Sequence, residues 1–160
     1  MGSEKFIHTW HFENRNITFS WLGNADVSTD RVYAFAFTPE GKILLVSDAR
    51  GAEYWLPGGG IEAGETEEVA LARELFEEAA ATLHSAERLG VQQADDPLVG
   101  RSLQAFYACH VSLAETFEPE HEISVRRLVT PEDFLDTLFW GRDDPKAEML
   151  LNRALDFMQQ

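Results

Sequence analysis

The run Trp55-Leu56-Pro57-Gly58-Gly59-Gly60, followed closely by Arg73-Glu74-Leu75-Phe76-Glu77-Glu78, constrains this chain more than any other feature of it. A proline followed by three glycines predicts a break in regular structure. Glycine reaches backbone conformations closed to other residues and lets a ligand approach the main chain. Three in a row exceed what a plain strand-to-helix link requires, and a free glycine carbonyl is then available to a cation.

The next segment predicts a helix over about Thr66 to Leu83. At 100° per residue, Val69, Ala72, Phe76, Ala79, Ala80 and Leu83 fall on one side, expected to face a sheet. Glu67, Glu74, Glu77 and Glu78 fall on the other, with the small Ala70 among them. Glu74 lies three residues before Glu77 and four before Glu78, spacings at which like charges repel. A solvated acidic face would carry compensating lysines, yet Arg73 is the sole basic residue between Glu62 and Glu78. Hard dications such as Mg²⁺ take oxygen ligands, often a few carboxylates completed by water and substrate phosphate. The cluster therefore reads as a metal site.

The chain has 160 residues, which fits one domain spanning 1–160. Its net charge of −15 argues against nucleic acid as a partner, because that affinity rests on basic side chains. A small phosphorylated molecule is compatible if cations bridge it. No apolar run reaches membrane-spanning length, and the N-terminal residues lack the apolar core of a signal peptide, so a cytoplasmic location without membrane contact is expected. The single cysteine, Cys109, excludes an intrachain disulfide and sits in an apolar alternating run, as a core thiol would.

Elsewhere the pattern predicts strands at Asn16 to Leu22, Val32 to Thr38, Ile43 to Ser47, Leu103 to Leu113 and Ile123 to Val129. Val32 to Thr38 is apolar on both faces and so suits a central strand covered on both sides. Pro39 to Lys42 joins it to the next strand as a hairpin turn. Thr130-Pro131-Glu132-Asp133 carries helix N-cap chemistry, and a last helix begins near Pro145. Strands mixed with a few helices point to an α/β (α+β) fold with a mixed sheet covered on both faces.

Gly59, five residues, Glu65, seven residues, then Arg73-Glu74-Leu75-Phe76-Glu77-Glu78 resembles the Nudix box, covering 59–81. Ala80 replaces the late glycine of that pattern and Ala81 its final aliphatic residue. The resemblance implies a Nudix-type α/β/α sandwich and Mg²⁺- or Mn²⁺-dependent hydrolysis of a nucleoside diphosphate linked to another moiety. By position it makes Glu74, Glu77 and Glu78 metal ligands with the Gly59 carbonyl. Arg73 becomes the partner that holds a carboxylate in place, and Glu65 fixes the loop-helix geometry. Such metals neutralise the phosphates, polarise phosphorus and acidify a bound water, whose proton a carboxylate accepts. Similar enzymes place a loop at the metal site where this chain has Glu118 to Glu122. Glu120 or Glu122 is therefore a candidate base or further ligand, against the alternative of an acidic surface loop.

The substrate is less legible. Pro97, sixteen positions beyond Ala81, resembles the ADP-ribose pyrophosphatase subgroup, and a nucleotide sugar is a related option. The tyrosine of dinucleoside-polyphosphate hydrolases is absent, Leu98 and Val99 standing near that spacing. Trp55, Phe139 and Trp140 are candidates to stack on a base or to join the core. Arg101, Arg126 and Arg127 are candidates to hold phosphate. His8 and His11 read as surface residues. Nudix relatives are frequently dimers, so a homodimer is an expectation of the resemblance. The alternative function is a Nudix-fold module that senses a nucleotide without cleaving it.

Overall fold

The computed structural model describes residues 6–48, 51, 53–116 and 123–160. Glu120 and Glu122 therefore lie outside the described residues, as does His121. The elements run β1 (Ile7–Phe12), β2 (Arg15–Trp21), β3 (Arg31–Phe37), β4 (Ile43–Asp48), β5 (Gly58–Gly60), α1 (Glu67–Ala79), β6 (Ala81–Asp96), β7 (Gly100–Leu113), β8 (Ile123–Val129), α2 (Pro131–Thr137) and α3 (Lys146–Met158). The strands form one mixed sheet in the order β1-β2-β6-β7-β3-β4-β8, with β5 pairing β3 from the side. Within it β3 and β7 run parallel, Val32 opposite Ala105, and the other pairs are antiparallel.

The doubly apolar β3 is central, as its sequence predicts, and it sorts side chains by size. Phe35 and Phe37 enter the layer beneath α2 and α3, together with Phe134, Leu150 and Ala154. Val32, Ala34 and Ala36 enter the opposite layer, where α1 contributes Ala70, Leu71, Leu75 and Ala79. Small residues on both partners let α1 approach the sheet closely, which is what brings its carboxylates down beside β5.

Two expectations are corrected here. The glycine run does not abolish regular structure. Gly58–Gly60 forms β5, pairing Gly58 with Tyr33 and Gly60 with Arg31. Only glycine fits at Gly58, and Gly59 lies directly against the Glu74 carboxylate. At Gly58 the backbone has φ 148°, and a Cβ would lie 2.1 Å from the Val32 carbonyl oxygen. At Gly59 a Cβ would meet Glu74 Oε1 at 2.6 Å.

The second correction concerns the helix. It ends at Ala79 rather than continuing to Leu83, and its buried face is Ala70, Leu71, Leu75, Glu78 and Ala79. Val69 and Phe76, expected to pack on the sheet, are 55% and 67% exposed. The apolar count was misleading because the acids themselves lie on the inward side. The helix stops because Ala80 turns left-handed, at φ 51° and ψ 40°, with its N–H donating to the Leu75 and Phe76 carbonyls. That geometry explains the glycine at this position of the Nudix box, since glycine adopts it without Cβ strain. Ala81 then starts β6, fully buried.

The left-handed Ala80 costs roughly 1–2 kcal/mol. We therefore expect Ala80→Gly to stabilise the fold by roughly 0.5–1 kcal/mol after the entropy of glycine is counted. A urea midpoint equal to or below wild type would contradict this reading of the helix end.

Candidate functional site

Arg73 is the hub of the acidic helix. Its Nε and Nη2 donate to the two carboxylate oxygens of Glu65, both at 2.8 Å. Nη2 also donates to the Gly60 carbonyl at 3.0 Å, and Nη1 to Glu74 Oε1 at 2.9 Å and Glu77 Oε2 at 3.4 Å. A planar guanidinium suits this divergent fork in a way that a lysine would not. The Arg73 hydrogen bonds, together with the Glu62 N–H, hold the Glu65 carboxyl down at about 2. Thr66 caps α1 by accepting from the Val69 N–H. Loop and helix are thereby locked in one geometry.

Glu78 is different. Only 9% exposed, it accepts a hydrogen bond from the Gly58 N–H at 2.8 Å. Burial pushes its carboxyl up to about 8, against the Gly58 bond and reinforced by the neighbouring Glu74 and Glu77. Glu74 stands between Arg73, Glu78 and the Gly59 backbone. Two crowded carboxylates beside a glycine backbone form a hard-oxygen donor set short of positive charge. Among the described residues, no three His, Cys, Asp or Glu side chains converge as a ready-made metal cage. Mg²⁺ does not need one, because it keeps several waters and completes its shell with substrate phosphate.

On the α2/α3 face of the sheet lies a cavity of about 190 Å³. Trp55, Trp140, Tyr33 and Phe106 wall it with aromatic surface, while Gln92, Gln104 and Asp144 add polar groups. The chain around Trp55 and that around Trp140 meet by local pairing. The Phe139 N–H donates to the Tyr54 carbonyl at 2.8 Å, and the Phe139 ring packs on Trp55 at 4.5 Å. Trp140 is set by Lys146, whose Nζ lies 5.2 Å from its ring and pairs with Asp144. Both members of that pair are buried, and burial lowers the Lys146 pKa against the pull of Asp144.

Arg31 connects the two regions. Its Nε donates to the Tyr33 hydroxyl at 2.7 Å, and Tyr33 lines the cavity. Burial would lower the Arg31 pKa, but Tyr33, Glu74 and Glu78 outweigh it and raise it. A cation thus sits in the field of the carboxylates at the edge of the aromatic cavity.

The structure brings Arg73, Glu74, Glu77, Glu78 and Gly59 together. Trp55 and Trp140 reach the cavity, whereas Phe139 supports Trp55 from behind. His8, expected at the surface, is half-buried and lines the cavity. His11 bonds to Asn16 on the neighbouring strand. Pro97 is in the exposed turn between β6 and β7, away from the cavity lining. Arg101 lies 3.3 Å from Asp95 in the same hairpin, and Arg126 donates to the carbonyls of Ala79 and Ala114, fastening the end of α1. Arg127 lies over the Tyr54 ring. Cys109 is buried, and burial alone pushes its thiol up to about 12.

Sequence reasoning missed Arg31, Tyr33, Gln92, Gln104 and the Asp144–Lys146 pair. The Asp144–Lys146 pair gave no usable signal, since charged residues are ordinary at the start of an amphipathic helix. The others lie in strands whose pairing was not visible.

A NUDIX domain model matches residues 27–150. The fold is similar to that of the Bacillus subtilis pyrophosphohydrolase BsRppH, with a TM-score of 0.73 over 98% of both chains at 18% identity. It is similar to the solution structure of the Escherichia coli ORF135 protein, with a TM-score of 0.54 at 26% identity over 82% of this chain and 90% of that one. A MutT structure described for Aliivibrio salmonicida and Vibrio cholerae gives 0.56 at 20% identity, over 76% and 94% of the two chains. No curated protein sequence matches the chain significantly. The chain belongs to the NUDIX family. Among the described residues, no helix is long and apolar enough to cross a membrane.

Glu65 provides a test of the Arg73 hub. Its carboxyl is depressed from 4.5 to about 2, so its contribution to stability is fully present above the unfolded value and is lost as pH falls through the folded one. Wild type should lose melting temperature more steeply than Glu65→Gln between pH 4.5 and 2. Parallel acid limbs would show that the pair does not hold the loop.

Proposed function

We propose that this chain is a dication-dependent hydrolase that splits the pyrophosphate of a nucleoside diphosphate linked to a second moiety, such as ADP-ribose or a nucleotide sugar, within one domain spanning 1–160. The observation that carries this reading is the buried Glu78 carboxyl crowded by Glu74 beside the Gly59 backbone. Glu74 and Glu78, with the Gly59 carbonyl and Glu77 at the flank, would hold Mg²⁺ or Mn²⁺. Bound there, the metal would supply charge neutralisation and an acidified water.

The chain's own residues have separate tasks in this reading. Arg73 aims Glu74 and fixes Gly60, and Glu65 fixes Arg73. Arg31 is placed to meet a phosphate oxygen once substrate charge joins that of the carboxylates. Trp55 and Trp140 offer ring faces to a base. Glu120 or Glu122 is the proposed base that takes the proton of the attacking water, or a further metal ligand. The net charge of −15 favours a small nucleotide over nucleic acid. A cytoplasmic monomer or homodimer suits such a reaction. A sensor that binds without cleaving would have no need for the full box of acids, which is intact.

A panel of ADP-ribose, nucleotide sugars, dinucleoside polyphosphates and nucleoside triphosphates, each with Mg²⁺ and with Mn²⁺, tests the reading. At least one diphosphate compound should be cleaved, and chelation should abolish cleavage. Glu78→Gln, nearly isosteric, should lose roughly 100-fold or more in rate, at least the loss seen when outer-shell partners of a metal are removed. Full activity in Glu78→Gln, or in the presence of chelator, would contradict the assignment.

A further inference from the structure

Gln92 lies in the second half of β6, opposite Gln104 on β7 and next to the buried Val91. It is 5% exposed. Its Nε2 donates to Gln104 Oε1 at 2.8 Å, and Gln104 Nε2 in turn faces Ser102 Oγ at 3.5 Å. This relay leaves Gln92 Oε1 without a hydrogen-bond partner, the one such buried side-chain atom among the described residues. A buried acceptor left unsatisfied destabilises a fold, and native proteins keep few of them. A leucine here would leave no unpaired Gln92 oxygen, at the expense of the hydrogen bond to Gln104. Gln92 also forms part of the wall of the aromatic cavity.

Two carboxylates add further acceptors to the lining, beside His8. Asp143 and Asp144 are acceptors, and the Lys146 charge is turned towards Asp144 and the rings of Trp140 and Phe19. The cavity thus combines aromatic walls with several acceptors, among which the Gln92 oxygen has no partner in the protein. Its volume of about 190 Å³ suits a single or fused ring rather than a whole nucleotide; a cavity of ~150 Å³ accepts benzene. A ligand that satisfies this site is a flat heteroaromatic ring whose edge carries N–H groups.

We infer that Gln92 is a specificity-determining residue whose Oε1 accepts a hydrogen bond from an amino-bearing base, selecting nucleotides of adenine or guanine type over those whose base lacks the amino group. The inference rests on the proposed nucleotide hydrolase, with base in the aromatic cavity and phosphates towards Arg31. A site built to hydrogen-bond a substrate group discriminates strongly against analogues without it, because its own polar atom is then left unpaired.

The test uses nucleoside monophosphates, whose binding is read by the fluorescence of Trp55 and Trp140 and does not depend on hydrolysis. The matched pairs are AMP against purine riboside monophosphate and GMP against IMP. Wild type should prefer the amino-bearing member of at least one pair by ~10-fold or more. Gln92→Leu should bring that ratio close to one while still unfolding cooperatively with heat. A merely structural glutamine would weaken both members of a pair equally. Wild type without preference, a preference unchanged in Gln92→Leu, or no monophosphate binding at all would each overturn the inference. Selective binding by a protein that cleaves nothing in the diphosphate panel would instead sink the hydrolase and leave Gln92 in its role.

Discussion

Arg73 holds the glycine strand and the acidic helix together, and the rest of the site depends on that fork. Glu65 takes two of its bonds, the Gly60 carbonyl a third, and Glu74 and Glu77 the remainder. Several glutamates grouped on one helix repel one another. One guanidinium offsets part of that repulsion on the outer side. On the inner side Glu78 is left buried and short of positive charge, its carboxyl pushed up to about 8. The geometry is rigid where it must position groups and electrostatically unfinished where a cation fits.

The sheet then divides the work between its faces. The α1 face carries the carboxylates, made reachable by the alanines of β3 and α1. The opposite face carries the aromatic cavity, lined by Trp55, Tyr33, Phe106 and Trp140. The two meet where β5 pairs with β3, because Gly58 sits opposite Tyr33 and Gly60 opposite Arg31. A nucleotide with its ring on one side and its phosphates on the other would cross at that point. Arg31 stands there, bonded to Tyr33 and within the field of Glu74 and Glu78.

How much of this the sequence disclosed depended on how local each feature is. The spacing of Gly59, Glu65, Arg73 and the glutamates is a local pattern, so the loop, the helix and the Arg73 role were legible. The doubly apolar β3 and the Thr130 cap were legible for the same reason. The inward face of α1 was misread, because apolar Val69 and Phe76 point outward and Glu78 inward, an inversion that serves a site rather than a core. The end of α1 was missed because alanine gives no sign of turning left-handed. The long β6 went unseen because its polar residues break the alternation and its register shifts between Leu83 and Ser85 and between Arg88 and Gly90. The cavity was invisible for a different reason: it is assembled from β1, β2, β3, β6, β7 and the segments around Trp55 and Trp140, which only the folded sheet brings together.

The most direct test of the central claim is anomalous diffraction from crystals soaked in Mn²⁺. A dication held by this site should give a peak within coordination distance, ~2.0–2.2 Å, of Glu74 and Glu78 oxygens, with the Gly59 carbonyl turned towards it. Manganese bound elsewhere, or no peak beside those two carboxylates at saturating metal, would contradict the account.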